Sequence, residues 1–345
     1  MATTVVSVAG ICAAAQRASR RLATLGSRVK DEALHAIADA LIARSDEILE
    51  ANARDLEVGR ESGLSAALMD RLALDHSRIA GMAAGVRKIA SLPDPVGEVI
   101  DGSRLATGLD MRKVRVPLGV IAVVYEARPN VTIDAAALCL KSGNAVVLRG
   151  SSSAAHSNAV LAGVAAEAAT GAGLPDAAMS LVAGGGREEL AELATQTGVV
   201  DLIIPRGGEG LKAALKGVAT VPVIYAASGN CHVYVDASAD LEAARAIILN
   251  AKTQRPGVCN AAETLLVHSD VAGAFLPGTL RALADVGVTL HGDGRARAAG
   301  GGLELQEATE DDWDTEYLAL ELAVGVVDSP QEAIAHINDH GSGHS

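Results

Sequence analysis

From Val120 onward, short apolar runs alternate with helix-length stretches. The runs are Val120–Tyr125, Ala145–Leu148, Met179–Val182, Asp201–Ile204 and Val223–Tyr225. Runs that are apolar throughout, rather than at every second position, belong to strands covered on both faces, and helices between them make such strands parallel. The pattern therefore predicts an α/β fold with a parallel-sheet nucleotide-binding domain. Ahead of it, Ala13–Arg60 reads as one long amphipathic helix, with Ala33, Leu34, Ile37, Ala38, Leu41, Ile42 and Ile48 at helical spacing. Pro93 and Pro95 end the helical region, and Val99–Val116 alternates in the manner of a β-hairpin.

Further along, Asp240–Lys252 predicts a helix, Thr264–Val267 an apolar strand and Val288–Leu290 another. Gly300–Gly302 with the acidic Glu310, Asp311 and Asp312 predict a surface loop before Trp313, and Leu318–Val327 returns to strand character. A boundary near Ala246 divides the chain into a domain over residues 1–245 and a second α/β domain over 246–345. The hairpin at about 99–116 is expected to pair with a neighbouring subunit.

Composition narrows the partners. The chain has 345 residues, 29 Lys plus Arg against 42 Asp plus Glu, and a formal net charge of -13, which repels nucleic acid and anionic membrane surfaces. No apolar run is long enough to span a bilayer, and no basic segment precedes the apolar N-terminus, so the expected location is the cytoplasm. The four cysteines, Cys12, Cys139, Cys231 and Cys259, are far apart without C-x-x-C pairing, as suits a reducing compartment. The nine histidines form no ligand spacing, and no metal is expected.

Cys259 stands apart from Cys12 and Cys139, which fall in Ala-rich helical patterns. It follows Arg255, Pro256 and Gly257 in a rigid turn and precedes the apolar strand. A thiol in such a corner, near a cation, is a candidate nucleophile, although an arbitrary cysteine is more often a small buried hydrophobe. For a cofactor, the ordinary G-x-G-x-x-G fingerprint is missing after the first strand. Pro205–Leu211 offers Arg206, Gly207 and Gly208 between a strand and a helix, where backbone N–H groups approach a phosphate; a plain turn explains the same residues equally well. Arg149, Ser151 and Ser152 end another strand with no nearby acid, which leans toward a 2'-phosphate and hence NADP, alongside an ordinary serine N-cap.

Y-E-A-R-P-N-V-T from Tyr125, L-K-S-G-N-A-V-V-L-R-G from Leu140, P-R-G-G from Pro205 and Q-R-P-G-V-C-N from Gln254 occur in an order that resembles the γ-glutamyl phosphate reductase family of the aldehyde dehydrogenase superfamily. The resemblance runs from Gln16 to the end. It implies NADPH-dependent reduction of L-glutamate 5-phosphate to L-glutamate 5-semialdehyde with release of phosphate, the second step of proline biosynthesis from glutamate, with Cys259 as nucleophile and a thioester intermediate. By the same resemblance Asn130 supplies an oxyanion donor, Arg128, Glu126 and Arg255 bind substrate, and Glu316 in Thr315–Leu318 holds the nicotinamide ribose. General aldehyde dehydrogenases carry a water-activating glutamate where this chain reads Tyr225–Asn230 without an acid, which fits a thioester kept from water. The resemblance further implies a homo-oligomer and a partner in glutamate 5-kinase. The family pattern continues beyond Ser345, so the competing expectation is a shortened, inactive nucleotide-binding remnant. An aldehyde dehydrogenase that oxidises to the free acid, turning over without phosphate, is a third reading that the missing acid disfavours.

Overall fold

The computed structural model describes residues 7–126, 128–183, 186–225 and 229–345, leaving aside the side chains of 66, 67 and 209. Two compact units emerge, Met1–Ala226 and Ala227–Ser345. The strands in chain order are β1 Val99–Arg104, β2 Asp110–Val114, β3 Val120–Tyr125, β4 Ala145–Arg149, β5 Met179–Leu181, β6 Leu202–Arg206, β7 Cys231–Val235, β8 Ala262–His268, β9 Thr289–Gly292, β10 Gln306–Glu307 and β11 Glu321–Val327.

In the first unit β5, β4, β3 and β6 lie side by side in that order, every pair parallel. Every residue of β3 and β4 is buried, as expected of strands sandwiched between helices. Helix Val8–Leu22 packs on β3, β4 and β5, and helix Asn130–Lys141 on β3 and β4. The chain winds outward from β3 through β4 to β5 and then crosses back to place β6 on the other side of β3. That reversal is a topological switch point, the place where open parallel sheets receive ligands at the carboxyl ends of their strands. Asp201 helps fix the pairing at the opposite ends. Its Oδ2 accepts from the Val120 N–H at 2.8 Å, and Gly119, at φ 129°, leaves room that a Cβ would fill by meeting the same oxygen at 2.2 Å.

The N-terminal region corrects the single long helix. Three helices, Val8–Leu22, Ser27–Ala43 and Ser45–Glu61, replace it. The chain leaves helical geometry at Gly26 (ψ 153°) and again at Arg44 (φ -110°, ψ 25°), turning the apolar stripe so that successive segments wrap the core. Ala33, Leu34, Ile37, Ala38, Leu41 and Ile48 are buried as expected, while Ile42 is exposed.

In the second unit the order is β10, β9, β11, β8, β7, again all parallel. The domain boundary shifts accordingly. β7 was not anticipated, and because Cys231 pairs with Ala262 at the start of β8, the described residues from Gly229 onward belong with the second unit rather than the first. Helix Leu241–Thr253 begins at Asp240, whose carboxylate accepts from the N–H groups of Glu242 and Ala243. Two smaller corrections follow. Val223 makes only an isolated bridge with Ile203, since Pro222 withholds a ladder donor, and the acidic residues Glu310–Asp312 open a short helix, Glu310–Asp314, through a capping box between Thr309 and Asp312. β1 and β2 form the expected antiparallel hairpin, exposed along both strands. Among the described residues no helix is long and apolar enough to cross a membrane.

One buried carboxylate ties the third helix to helix Ala155–Gly171. Asp55, on helix Ser45–Glu61, accepts from the N–H groups of His156 (3.1 Å) and Ser157 (2.7 Å) and from Ser157 Oγ (2.6 Å), capping helix Ala155–Gly171 from outside. Asn52, one turn earlier, donates to Ser157 Oγ at 3.0 Å. The loop after β4 leads straight into this helix start. Replacing Asp55 by Ala leaves the buried donors of Ser157 without a partner, and a loss of about 2–3 kcal/mol in urea unfolding of the first unit is expected; an unchanged midpoint would refute the capping role.

Candidate active site

At the carboxyl ends of β3, β4 and β6 the first unit gathers three loops. After β3, Glu126 extends its carboxylate to the loop after β6, where Oε2 accepts from the Gly208 N–H at 3.1 Å. Gly207 is packed so closely that a Cβ there would meet Glu126 Cδ at 2.7 Å and Leu211 Cδ2 at 2.8 Å. Gly208 is the N-cap of helix Glu209–Val218, so the carboxylate sits at the positive end of a helix dipole. Glu126, expected among the substrate ligands, is therefore found among the cofactor candidates Arg206, Gly207 and Gly208. Arg206 is exposed at the end of β6.

The loop after β4 holds the other candidates. Arg149 is buried, and its Nη2 donates to the Gly186 carbonyl at 2.6 Å, so part of its guanidinium braces the segment after β5. Ser151 and Ser153 share a hydrogen bond at 2.7 Å, and Ser152 begins a short 3-10 turn. Asn130 opens helix Asn130–Lys141, and its Nδ2 donates to Asp134 Oδ2 at 2.9 Å; burial raises the Asp134 carboxyl above the usual range. Arg128 is half-buried two residues earlier, its backbone N–H donating to the Glu126 carbonyl at 2.6 Å.

Cys259 is in the second unit, in the turn between helix Leu241–Thr253 and β8, and it is exposed. Cys12, Cys139 and Cys231 are buried; burial pushes the Cys12 and Cys139 thiols up to about 11 and about 12, and that of Cys231 upward as well. Arg255 is exposed in the same turn. Behind Cys259 lies Gly229. A Cβ at 229 would fall 1.6 Å from the Cys259 carbonyl oxygen and 2.7 Å from its Cα, so no other residue allows the two backbones to meet. Cys231 Sγ donates to that carbonyl at 3.1 Å.

Glu316 reaches the same place from the segment before β11, its Oε1 accepting from the Gly229 N–H at 2.9 Å. The stretch Tyr225–Asn230 contains no acid, but Ala226, Ala227 and Ser228 lie outside the described residues, and in space an acid does stand beside Gly229. That oxygen of Glu316 is engaged by backbone. Sequence reading missed two further groups here, Lys252 and Glu263, which form an ion pair of 2.6 Å at zero exposure on the two sides of the turn. A Lys in the last turn of a helix and a Glu in an otherwise apolar strand were the available signals. Among the described residues, no group of three or more His, Cys, Asp or Glu is placed to hold a metal ion.

Gly229→Ala is expected to displace the Cys259 turn outright. Turnover should fall by about 100-fold, the scale set by a misplacement of about 1 Å at reacting atoms, while circular dichroism of the strands persists. Near-parental turnover would contradict the backbone contact.

Residues 2–298 match the model of the aldehyde dehydrogenase family. The chain is 54% identical to the gamma-glutamyl phosphate reductase of Thermobifida fusca over 96% of its own length and 79% of the relative's. It is 55% identical to that of Moorella thermoacetica over the same shares. The crystal structure of the gamma-glutamyl phosphate reductase of Thermotoga maritima superimposes with a TM-score of 0.91 at 42% identity, covering 97% of this chain and 80% of that one.

Proposed function

Since the chain belongs to the gamma-glutamyl phosphate reductases of the aldehyde dehydrogenase family, we propose that Cys259 carries the acyl group while L-glutamate 5-phosphate is reduced to the 5-semialdehyde, a step of proline biosynthesis. The observation that supports this most is the contrast among the thiols: Cys259 is the exposed one, in a turn seated on Gly229, and the other three are buried. Its thiolate attacks the acyl carbon, the tetrahedral adduct expels phosphate, and a thioester remains on Sγ. Asn130 is assigned the oxyanion, through the amide N–H that is not directed at Asp134. Arg128 and Arg255 are assigned the anionic groups of the substrate, because a guanidinium fork matches phosphate and carboxylate.

A nicotinamide cofactor, when bound, supplies hydride to the acyl carbon. The residues present fit it: the loops after β4 and β6 lie at the strand ends of a parallel sheet with a switch point, and Gly207 and Gly208 open a helix N-terminus that already attracts a carboxylate. Gly207, Gly208 and Arg206 would hold its phosphates, with Arg149, Ser151 and Ser152 as the choice for the 2'-phosphate of NADPH. Glu316 is assigned the nicotinamide ribose through the oxygen not bound to Gly229. The two units thereby take the roles of NADP-binding and catalytic domains. After hydride transfer the hemithioacetal on Cys259 collapses to the aldehyde.

The exposed apolar side chains of the β1–β2 hairpin, Val99, Ile100, Met111 and Val114, support its use as the pairing element of a homo-oligomer; a parental sedimentation coefficient after Ile100→Asp and Met111→Asp would count against it. Four free cysteines accord with a cytoplasmic location. An acyl phosphate next to its own amine cyclises readily, which favours delivery by glutamate 5-kinase; equal rates with free intermediate would argue otherwise.

The experiment is semialdehyde oxidation with NADP+ in the presence and absence of phosphate. Phosphate-dependent turnover is expected in the parent, and a drop of at least about 10⁴-fold in Cys259→Ala. Phosphate-independent turnover would instead indicate oxidation to the free acid. A folded chain that binds NADPH and turns nothing over would be the inactive remnant.

A further inference from the structure

We infer that Lys252 and Glu263 are positioning residues for the Cys259 thiol, a buried brace that pins both ends of its turn and passes the restraint on to Gly229; this rests on reading Cys259 as the nucleophile. Lys252 stands in the last turn of helix Leu241–Thr253 and Glu263 is the second residue of β8, so the turn 254–261 leaves from one and returns to the other. Lys252 Nζ donates to Glu263 Oε2 at 2.6 Å and to the Ala262 carbonyl at 2.8 Å. A charge-assisted bond across the base of a turn removes conformations that the turn would otherwise sample.

Glu263 also reaches a second element. Its Oε1 accepts from the Leu318 N–H at 3.4 Å, and Leu318 holds the left-handed backbone at φ 51°. Two residues earlier Glu316 accepts from Gly229, whose backbone lies against the Cys259 carbonyl. The contacts thus close a ring: Lys252, Glu263, the 316–318 segment, Gly229 and back to the turn that Lys252 begins. Both sides of Cys259 are held, one by the brace itself and one by the backbone that the brace anchors.

Stability alone is a poor account of this pair, because buried ion pairs add little compared with apolar residues of the same volume. The charged and titratable groups around it are Glu321 on β11, Cys231 on β7, and Glu316 and Tyr317 on the segment between, with the Tyr317 ring centroid 6.0 Å from Lys252 Nζ. Burial pushes the Glu263 carboxyl up and the Lys252 ammonium down, and each is held back by the charge of the other.

The test compares Glu263→Gln, which keeps one acceptor but leaves the buried Lys252 ammonium without its counter-charge, with the double variant Lys252→Met/Glu263→Gln, which removes the bond and leaves no unpaired buried charge. Iodoacetamide reports on Cys259, since the other three cysteines are buried. In the full chain the double variant is expected to alkylate at Cys259 about tenfold faster, from a loosened turn, with kcat lowered about tenfold. Glu263→Gln, which keeps one of the two acceptor oxygens and removes the counter-charge to Lys252, should likewise label Cys259 faster and lower kcat. Labelling of all four cysteines would signal unfolding, and amide exchange of residues 254–261 in Glu263→Ala then decides: about tenfold faster exchange supports the brace, parental exchange overturns it. Parent-like labelling and kcat in a folded double variant overturn it as well. Turnover surviving in Cys259→Ala would instead overturn the nucleophile reading, and the exchange comparison would still judge the brace.

Discussion

Parallel pairing of β7 with β8 and of β8 with β11 is the constraint on which the second unit depends. In a parallel sheet all strands start at one edge, so residues that precede different strands become neighbours whatever their distance in sequence. Cys231 pairs with Ala262, and Ala323 with Thr264. The segments just before those residues are Gly229–Asn230, the Cys259 turn and Thr315–Leu320. Their meeting is a consequence of register, and Gly229 makes it a backbone-to-backbone meeting. Asn230 extends the same convergence, donating to the carbonyls of Trp313 and His340.

The first unit uses the other edge. There the switch between β3 and β6 opens the sheet at its carboxyl end, and Glu126, Gly207 and Gly208 line the opening. Each unit carries its candidates at one end of a parallel sheet: glycine loops at the strand ends in the first, a thiol at the strand beginnings in the second. A carboxylate on a helix N-terminus and a carboxylate on Gly229 show that both edges hold backbone N–H groups able to face an anion.

Much of this was legible in the chain. The apolar runs at Val120, Ala145, Met179 and Asp201 became β3 to β6, since wholly buried strands leave little ambiguity once helices separate them. Cys259 could be singled out because a Pro-Gly turn before an apolar strand is itself a local signal. What escaped was non-local or mixed in pattern. β7 alternates Cys, His, Val, Tyr and Val, neither fully apolar nor regularly amphipathic, and so its start marked no boundary. Gly26 and Arg44 interrupt the N-terminal helix without proline. Glu316 beside Gly229, and Lys252 on Glu263, depend on strand register, which periodicity does not reveal.

The carboxylate of Asp55 also bears on how the molecule is made. It precedes Ser157, its partner, by 102 residues. At synthesis rates of roughly 5–20 residues per second, Ser157 is added about 5–20 s after Asp55. Through that interval Asp55 has no helix start to cap, and the sheet that the first helices cover is incomplete, with β5 and β6 still to be made. The apolar faces of those helices are then natural clients for chaperones, until translation delivers the strands that bury them.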